Sequence, residues 1–337
     1  MKIIEHYSLL NDNTFKINVD AKYFVEIENV DEFYNLRESS VYKDNEHLIL
    51  GGGSNVLLTK NIDALVIKVK LKGIKIVEEN EQHAWVNVAA GEVWHDFVIW
   101  CLDHNLGGVE NLSLIPGYVG ASPMQNIGAY GVEVKDICSQ VNAINLNDGR
   151  KESYSNDDCK FGYRESIFKH ELKSKVFITD VTFKLNKQHN FNVEYGDIKR
   201  TLEEMKVSDL TIRSVSDAVI KIRTSKLPDP NILGNAGSFF KNPTISNKQA
   251  ETLKINYPTM PQYPQTEGTK IPAGWLIEQC GWKGKRVGNT GSHQFQALVI
   301  VNYGNAKGNE IYQLAIDIQQ SVLEKFGISI SPEVNIF

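Results

Sequence analysis

Three polar side chains stand in contexts suited to proton or charge transfer. Arg164 lies in the run GYRES at 162–166, where its planar fork of donors could fix and neutralise a carboxylate or an enolate. Taken singly, such an arginine more often pairs with a surface acid. Ser238 follows Gly237 in GNAGSFFKNP at 234–243, a turn that presents a hydroxyl either to donate a proton or to cap a backbone group. Neither a GxSxG run nor a plausible histidine partner accompanies it, which disfavours nucleophilic catalysis. Glu333 sits four residues from the end in SPEVNIF, where a carboxylate is most often solvated and idle. Separations of 74 and 95 positions leave the convergence of the three to the fold.

Two lean segments could offer backbone N–H groups to phosphate. GGGSN at 51–55 follows an apolar run and has no bulky side chains in the way. Val56 stands where the dinucleotide fingerprint needs its third glycine, and no Gly-Lys-Ser/Thr follows, so neither of those motifs is present. A tight turn explains such a loop in isolation equally well. IPGYVGASPMQNIGAYG at 115–131 is more specific, because 17 irregular residues so poor in charge do not make an ordinary solvated loop. It reads either as backbone approaching a flat cofactor or as a buried crossover. Together the two loops suit a dinucleotide with two phosphates and a ring system, held without a Rossmann unit.

The elements that must position these residues show in the hydrophobic pattern. Residues 23–50 read as a short strand, an amphipathic helix near 31–37 and the apolar run 47–50, which delivers the chain to GGGSN. Alternation from 64 to 90 predicts half-buried antiparallel strands, with a hairpin turn at 79–82. Val93, Trp94, Phe97, Val98 and Cys101 recur at helical spacing, and the helix they form should end on a left-handed glycine at Gly107. Residues 141–145 and 151–154 flank the turn signal Asn147-Asp148-Gly149, and 175–185 supplies another strand. A polar stretch at 186–209 is followed by a helical pattern at Val215, Val219 and Ile222 that must stop by Pro228, so LPDP at 227–230 marks a boundary. Residues 257–270 read as proline-punctuated loop and 297–301 as a short buried strand. A closing helix carries Ile311, Leu314, Ala315, Ile318 and Val322 up to Gly327, and 328–337 reads as a terminal strand.

Composition narrows the classes. A chain of 337 residues suggests about two domains, and 42% hydrophobic with 23% charged residues fits a folded globular protein. Thirty-six basic and 41 acidic residues give −5, without a basic stripe, which argues against nucleic acid and leaves small anions open as substrates. The cluster at 283–286 could meet one small phosphate group. Glu5 and His6 interrupt any apolar leader and no 18-residue apolar segment follows, so a cytoplasmic protein without a membrane segment is expected. Cys101, Cys138, Cys159 and Cys280 lack CxxC spacing, and the eight histidines show no metal-binding pattern, so no metal is expected.

With these motifs in order, the chain resembles the UDP-N-acetylenolpyruvoylglucosamine reductase family. GGGSN, the 115–131 run, GYRES, GNAGSFFKNP, AGWLI at 273–277 and PEV at 332–334 carry the likeness across nearly all 337 residues. The resemblance implies an α+β fold, with a two-subdomain FAD-binding module of the vanillyl-alcohol-oxidase (PCMH) type and an α+β substrate-binding domain. Its implied ranges are 1–70 and 71–218 for the FAD-binding subdomains, the latter joined by the terminal strand 328–337, and 219–327 for the substrate domain. A tyrosine loop at about 186–209, with Tyr195 in VEYGD, is similar to that of the longer type I branch. Noncovalent FAD and NADPH are implied, with Gly51, Gly52, Gly53, Ser54, Asn55, Pro116, Gly117, Ser122, Gly128 and Arg223 toward the cofactor. Carried over by motif, Ser238 is the general acid, Arg164 and Glu333 stabilise the enolate, and Tyr195, Lys226, Asn242, Tyr263 and Gln296 meet substrate, with Lys226 at the diphosphate. The family usually has arginine two residues after the glutamate, where this chain has Asn335.

The implied reaction reduces UDP-N-acetylglucosamine enolpyruvate to UDP-N-acetylmuramate for peptidoglycan synthesis. Hydride passes from NADPH to flavin and then to the vinyl carbon, and Ser238 protonates the α-carbon, in ping-pong order at one site. A monomer is expected. Two alternatives stand beside this: another FAD-dependent oxidoreductase of the same fold, separated by oxygen consumption, and a non-catalytic nucleotide-sugar or flavin-binding protein, which would never turn over NADPH.

Overall fold

Alternating residues at 74–89 form the antiparallel strands Ile74–Glu79 and His83–Ala89 of the computed structural model, which describes all 337 residues. The Asn80 side chain closes their turn by accepting from the Gln82 and His83 N–H groups at 2.9 and 2.8 Å. Cys138–Asn145, Lys151–Ser155 and Val176–Asn186 complete a five-stranded antiparallel sheet, with Val176–Asn186 between Cys138–Asn145 and His83–Ala89. Val86 and Val88 face Phe183 and Val181 across that pairing, and all four are buried. Helix Trp94–Asp103 lays its apolar stripe on this surface, with the Phe97 ring stacked on Phe183 at 4.9 Å between centroids. The helix therefore serves the core.

A second sheet, Ile4–Ser8, Asp20–Ile27, Ile62–Val69 and His47–Leu50 in spatial order, carries helix Val30–Arg37. Phe33 of that helix stacks on Phe177 of the five-stranded sheet at 4.3 Å, so both sheets share one continuous core. Met1–Tyr7, Ala21–Gly52 and Asp63–Ser225 make up this compact unit; helix Ile212–Lys226 ends it.

The other unit comprises Ser8–Asp20, Gly53–Ile62 and Lys226–Phe337. Its sheet runs Gly234–Ser238, Val299–Asn302, Thr290–Ser292, Arg286–Val287, all antiparallel, and the buried face of helix Gly308–Phe326 supplies Ile311, Leu314, Ala315, Ile318 and Val322 to its core. Residues 8–20 are stitched to this unit: the Asn235 N–H donates to the Thr14 carbonyl at 3.0 Å, and Asn302 Nδ2 to the Phe15 carbonyl at 2.8 Å.

Several expectations need correction. Ile62–Val69 is not part of an antiparallel meander; it runs parallel to His47–Leu50, and its last six residues are all buried, as befits a strand covered on both faces. The left-handed residue after Trp94–Asp103 is Asn105, at φ 56, not Gly107. Residues 257–270 hold a hairpin, Tyr263–Gln265 with Gly268–Lys270, and 186–209 includes helix Ile198–Glu204. The last ten residues form only a two-residue strand, Asn335–Ile336, and it pairs parallel with Val56–Leu57 instead of joining the five-stranded sheet. Residues 8–20 and 53–62 group with the C-terminal residues. The boundary signal at 227–230 lies just beyond the observed break after Ser225.

Candidate active site

Within the first unit the two lean loops meet backbone to backbone. A Cβ on Gly52 would lie 3.0 Å from Gly117 Cα, so a side chain there would press the two loops apart by a few tenths of an ångström. The 115–131 loop is pinned by its own N–H and C=O groups: Gly117 accepts from Trp94 N–H at 2.9 Å, Val119 donates to Glu92 and Gly120 to Ala90, both at 2.9 Å. Ser122 is buried in that loop, and its hydroxyl has no hydrogen-bond partner. Leaving a buried hydroxyl unsatisfied costs about 1–3 kcal/mol, a cost that a phosphate oxygen would relieve. The Arg223 Nε is likewise buried and unpartnered. These residues fit an anionic flavin dinucleotide.

Arg164 stands on a tight turn closed by the Gly162 N–H to Glu165 carbonyl bond at 2.9 Å and its reciprocal at 3.2 Å. Its backbone is left-handed, at φ 57, an uncommon conformation for a residue with a side chain. The guanidinium reaches the lean loop, where Nη2 donates to the Gly128 carbonyl at 2.8 Å. A Cβ on Gly128 would come within 3.1 Å of Nη1, so glycine there makes room for the cation. Burial holds the Arg223 guanidinium pKa below its ordinary value; Tyr130 opposes this and the positive charge of Arg164 adds to it. Two mutually repelling cations with a share of buried donors attract an anion.

In the second unit, Ser238 ends strand Gly234–Ser238, opposite Val299. Asn235 Oδ1 accepts from Gly237 N–H at 2.9 Å, and Gly237 turns left-handed at φ 70 to aim the next residue. The terminal segment runs alongside: the Glu333 N–H donates to the Phe239 carbonyl at 2.7 Å, and the Lys241 N–H to the Ser331 carbonyl at 2.9 Å. Ser238 and Glu333, 95 positions apart in sequence, thus occupy adjoining backbone. Asn55 Nδ2 donates to the Glu333 carbonyl at 3.3 Å, and both the backbone N–H and Nδ2 of Asn335 donate to the Asn55 carbonyl at 3.1 Å. Asn335 therefore fastens the exit of the glycine run. Gly53 and Ser54 lie in this unit, with Gly51 and Gly52 in the first, as are Pro116, Arg164 and Arg223.

The remaining candidates are distributed as follows. Tyr195 is 59% exposed, with its Cβ beside Gly131, and Tyr263 is 54% exposed on the hairpin. Lys226 is exposed at the end of its helix. Gln296 Oε1 packs near Gly274. Asn242 has a structural task, since its Oδ1 accepts from Ala273 N–H at 2.9 Å at the start of helix Ala273–Gln279.

Two neighbours of this region escaped sequence reasoning. Tyr130 is left-handed at φ 49, its carbonyl accepts from Asn111 Nδ2 at 2.9 Å, and burial raises its hydroxyl pKa, an effect Arg223 opposes. His95, on the helix read as core, accepts the Leu114 N–H on Nδ1 at 3.0 Å. Burial pushes its pKa below 6.5; Asp96 opposes this and Arg223 adds to it. Residue type alone gave no signal for either; each acquires its setting through the loop it touches.

Comparison with known proteins bears on what this geometry serves. Residues 229–337 match the family model described as UDP-N-acetylenolpyruvoylglucosamine reductase, C-terminal domain, and residues 21–153 match the FAD binding domain. The UDP-N-acetylenolpyruvoylglucosamine reductase of Flavobacterium johnsoniae is 51% identical over 338 residues, covering 100% of both chains. The chain belongs to the UDP-N-acetylenolpyruvoylglucosamine reductase family. The crystal structure of that reductase from Thermus caldophilus superposes with a TM-score of 0.68 at 22% identity, covering 100% of this chain and 98% of the other. 6-Hydroxy-D-nicotine oxidase from Arthrobacter nicotinovorans, at a TM-score of 0.51 and 11% identity over 97% of this chain and 86% of its own, shares the fold alone. The reductase family's fold is thus α+β, an FAD-binding module of the vanillyl-alcohol-oxidase type with a substrate-binding domain.

Proposed function

We propose that this chain reduces UDP-N-acetylglucosamine enolpyruvate with NADPH, giving UDP-N-acetylmuramate and NADP. The observation that carries the reading is 51% identity to a reductase of that name, over 100% of both chains. Bound FAD supplies the two-electron relay between NADPH and the substrate. The Ser122 hydroxyl, the Arg223 guanidinium and the backbone of Gly51, Gly52, Gly53, Ser54, Asn55, Pro116, Gly117 and Gly128 are the groups proposed to hold it; the unsatisfied Ser122 and Arg223 donors support this.

The vinyl CH2 gains hydride and becomes methyl, while the α-carbon gains a proton; NADPH and one proton are consumed. As hydride arrives, negative charge spreads over the α-carbon and the carboxylate. The Arg164 fork, held by the Gly128 carbonyl before substrate enters, needs no reorganisation to meet it. Ser238 donates its hydroxyl proton to the α-carbon, and the Glu333 carboxylate shares the stabilisation of the enolate. Lys226 neutralises the diphosphate, and Tyr195, Asn242, Tyr263 and Gln296 complete substrate contacts. The same reading places the reaction in the cytosol, where the four free cysteines stay reduced; no helix is long and apolar enough to cross a membrane.

The test is the visible spectrum of the purified protein under anaerobic conditions. Flavin absorbance should bleach with NADPH and return on adding the enolpyruvyl substrate. A colourless protein that refuses FAD, or a bleached one that the substrate leaves unchanged, overturns the reading.

A further inference from the structure

Asn126 lies in the middle of the lean loop, fully buried and left-handed at φ 46, a conformation that asparagine tolerates better than most residues. Its side chain is engaged at both ends. Oδ1 accepts from the Lys135 N–H at 2.9 Å; Nδ2 donates to the Gly162 carbonyl at 2.9 Å and to the Glu133 carboxylate at 3.2 Å. The Gly162 carbonyl is the same oxygen that receives the Glu165 N–H and closes the turn bearing Arg164. Asn126 therefore braces the first residue of that turn, while the Gly128 carbonyl, two residues along the loop, takes the Arg164 guanidinium. The Ser166 hydroxyl, donating to the Met124 carbonyl at 2.6 Å, secures the other side. A left-handed arginine costs on the order of 1 kcal/mol and persists only where its surroundings determine it. The brace on Gly162 is such a determinant.

We propose that Asn126 is a positioning residue for Arg164. Its amide ties the 162–165 turn to the lean loop, so that the backbone and the guanidinium tip of Arg164 are referenced to the same five residues, 124–128. Losing the tie lets the turn shift against the loop, and misplacement by about 1 Å at a reacting charge can cost roughly a hundredfold. The inference rests on the proposed role of Arg164 at the substrate carboxylate.

The test is a double-mutant cycle read on the two half-reactions. Asn126→Asp keeps the shape, the left-handed tolerance and the acceptor for Lys135, but sets an oxygen against the Gly162 carbonyl and the Glu133 carboxylate. Asn126→Gly keeps the backbone conformation and serves if the aspartate variant does not fold. Reoxidation by the enolpyruvyl substrate should slow by about 10- to 100-fold with KM nearly unchanged, while reduction by NADPH changes less than about threefold. In an Arg164→Ala background, the Asn126 substitution should slow reoxidation no further. Additive slowing there, or equal slowing of both half-reactions, overturns the positioning role while leaving the proposed function intact. If Arg164→Ala alone leaves reoxidation unaffected, the assigned role of Arg164 fails first, and this inference with it.

Discussion

A serine hydroxyl is a weak acid in water, so Ser238 can serve as proton donor only at the step where the α-carbon is already strongly basic. Ser238→Ala should accordingly leave flavin reduction by NADPH fast and slow reoxidation by substrate roughly 100- to 10,000-fold; stopped-flow absorbance separates the steps, and equal slowing of both would refute the assignment. Ser122 makes a different kind of prediction. Its hydroxyl is buried with no protein partner, so Ser122→Ala removes an unsatisfied group from the apoprotein and should leave its thermal midpoint unchanged or higher. FAD affinity should fall roughly 10- to 150-fold, the worth of one hydrogen bond to a charged acceptor. A fall in apoprotein stability without a change in FAD affinity would exclude the proposed contact. The motifs around Arg164, Ser238 and Glu333 stand out in the sequence, whereas nothing local singles out Tyr130 and His95. Their electrostatic settings depend on burial and on the neighbouring Arg223, which no local pattern records.

Elements built from short-range rules were legible, and those built from long-range pairing were less so. The amphipathic helices Trp94–Asp103 and Gly308–Phe326 follow from 3.6-residue spacing, and the hairpins from two-residue alternation about turns that each carry an asparagine. The parallel pairing of Ile62–Val69 with His47–Leu50 was misread, because alternation reports burial of a face and not strand direction. The Tyr263–Gln265 hairpin was missed because Pro264 and its exposed neighbours look like loop. The glycine-rich loops were recognised as irregular, and the reason is now geometric: Gly52 packs on Gly117. Gly52→Ala should push the two loops apart at their closest approach, so the variant should purify with far less FAD while its secondary structure by circular dichroism stays native. Full FAD occupancy would show that the close packing is not needed for binding.

Across the whole molecule, two histidines are held neutral by burial, His95 and His293, with pKa values pushed below 6.5. As pH falls below about 6.5 the unfolded chain takes up protons that the folded chain refuses, so stability declines through the window from there down to the lowered folded values. Thermal midpoints measured from pH 7.5 to 5 should fall, and the slope should flatten when both histidines are replaced by glutamine. A slope unchanged by that double replacement would assign the loss to other groups. Carboxylates held low by hydrogen bonds, Glu32, Asp148 and Asp158, act later, losing their contribution only as pH drops below their ordinary values of 4.5 and 3.8. From sequence alone come the lean loops, the chemistry-bearing side chains, the periodicities and the family likeness, since backbone sterics and spacing act over a few residues. Tertiary structure decides that residues 8–20 and 53–62 fold with the C-terminal residues, and that Glu333 lies beside Phe239, the residue after the strand that ends in Ser238. It also decides that Arg164 is set on a loop nearly 40 residues upstream. Those arrangements are made by amide-to-carbonyl bonds, which every residue can offer alike, so which ones form depends on the packing of the whole chain.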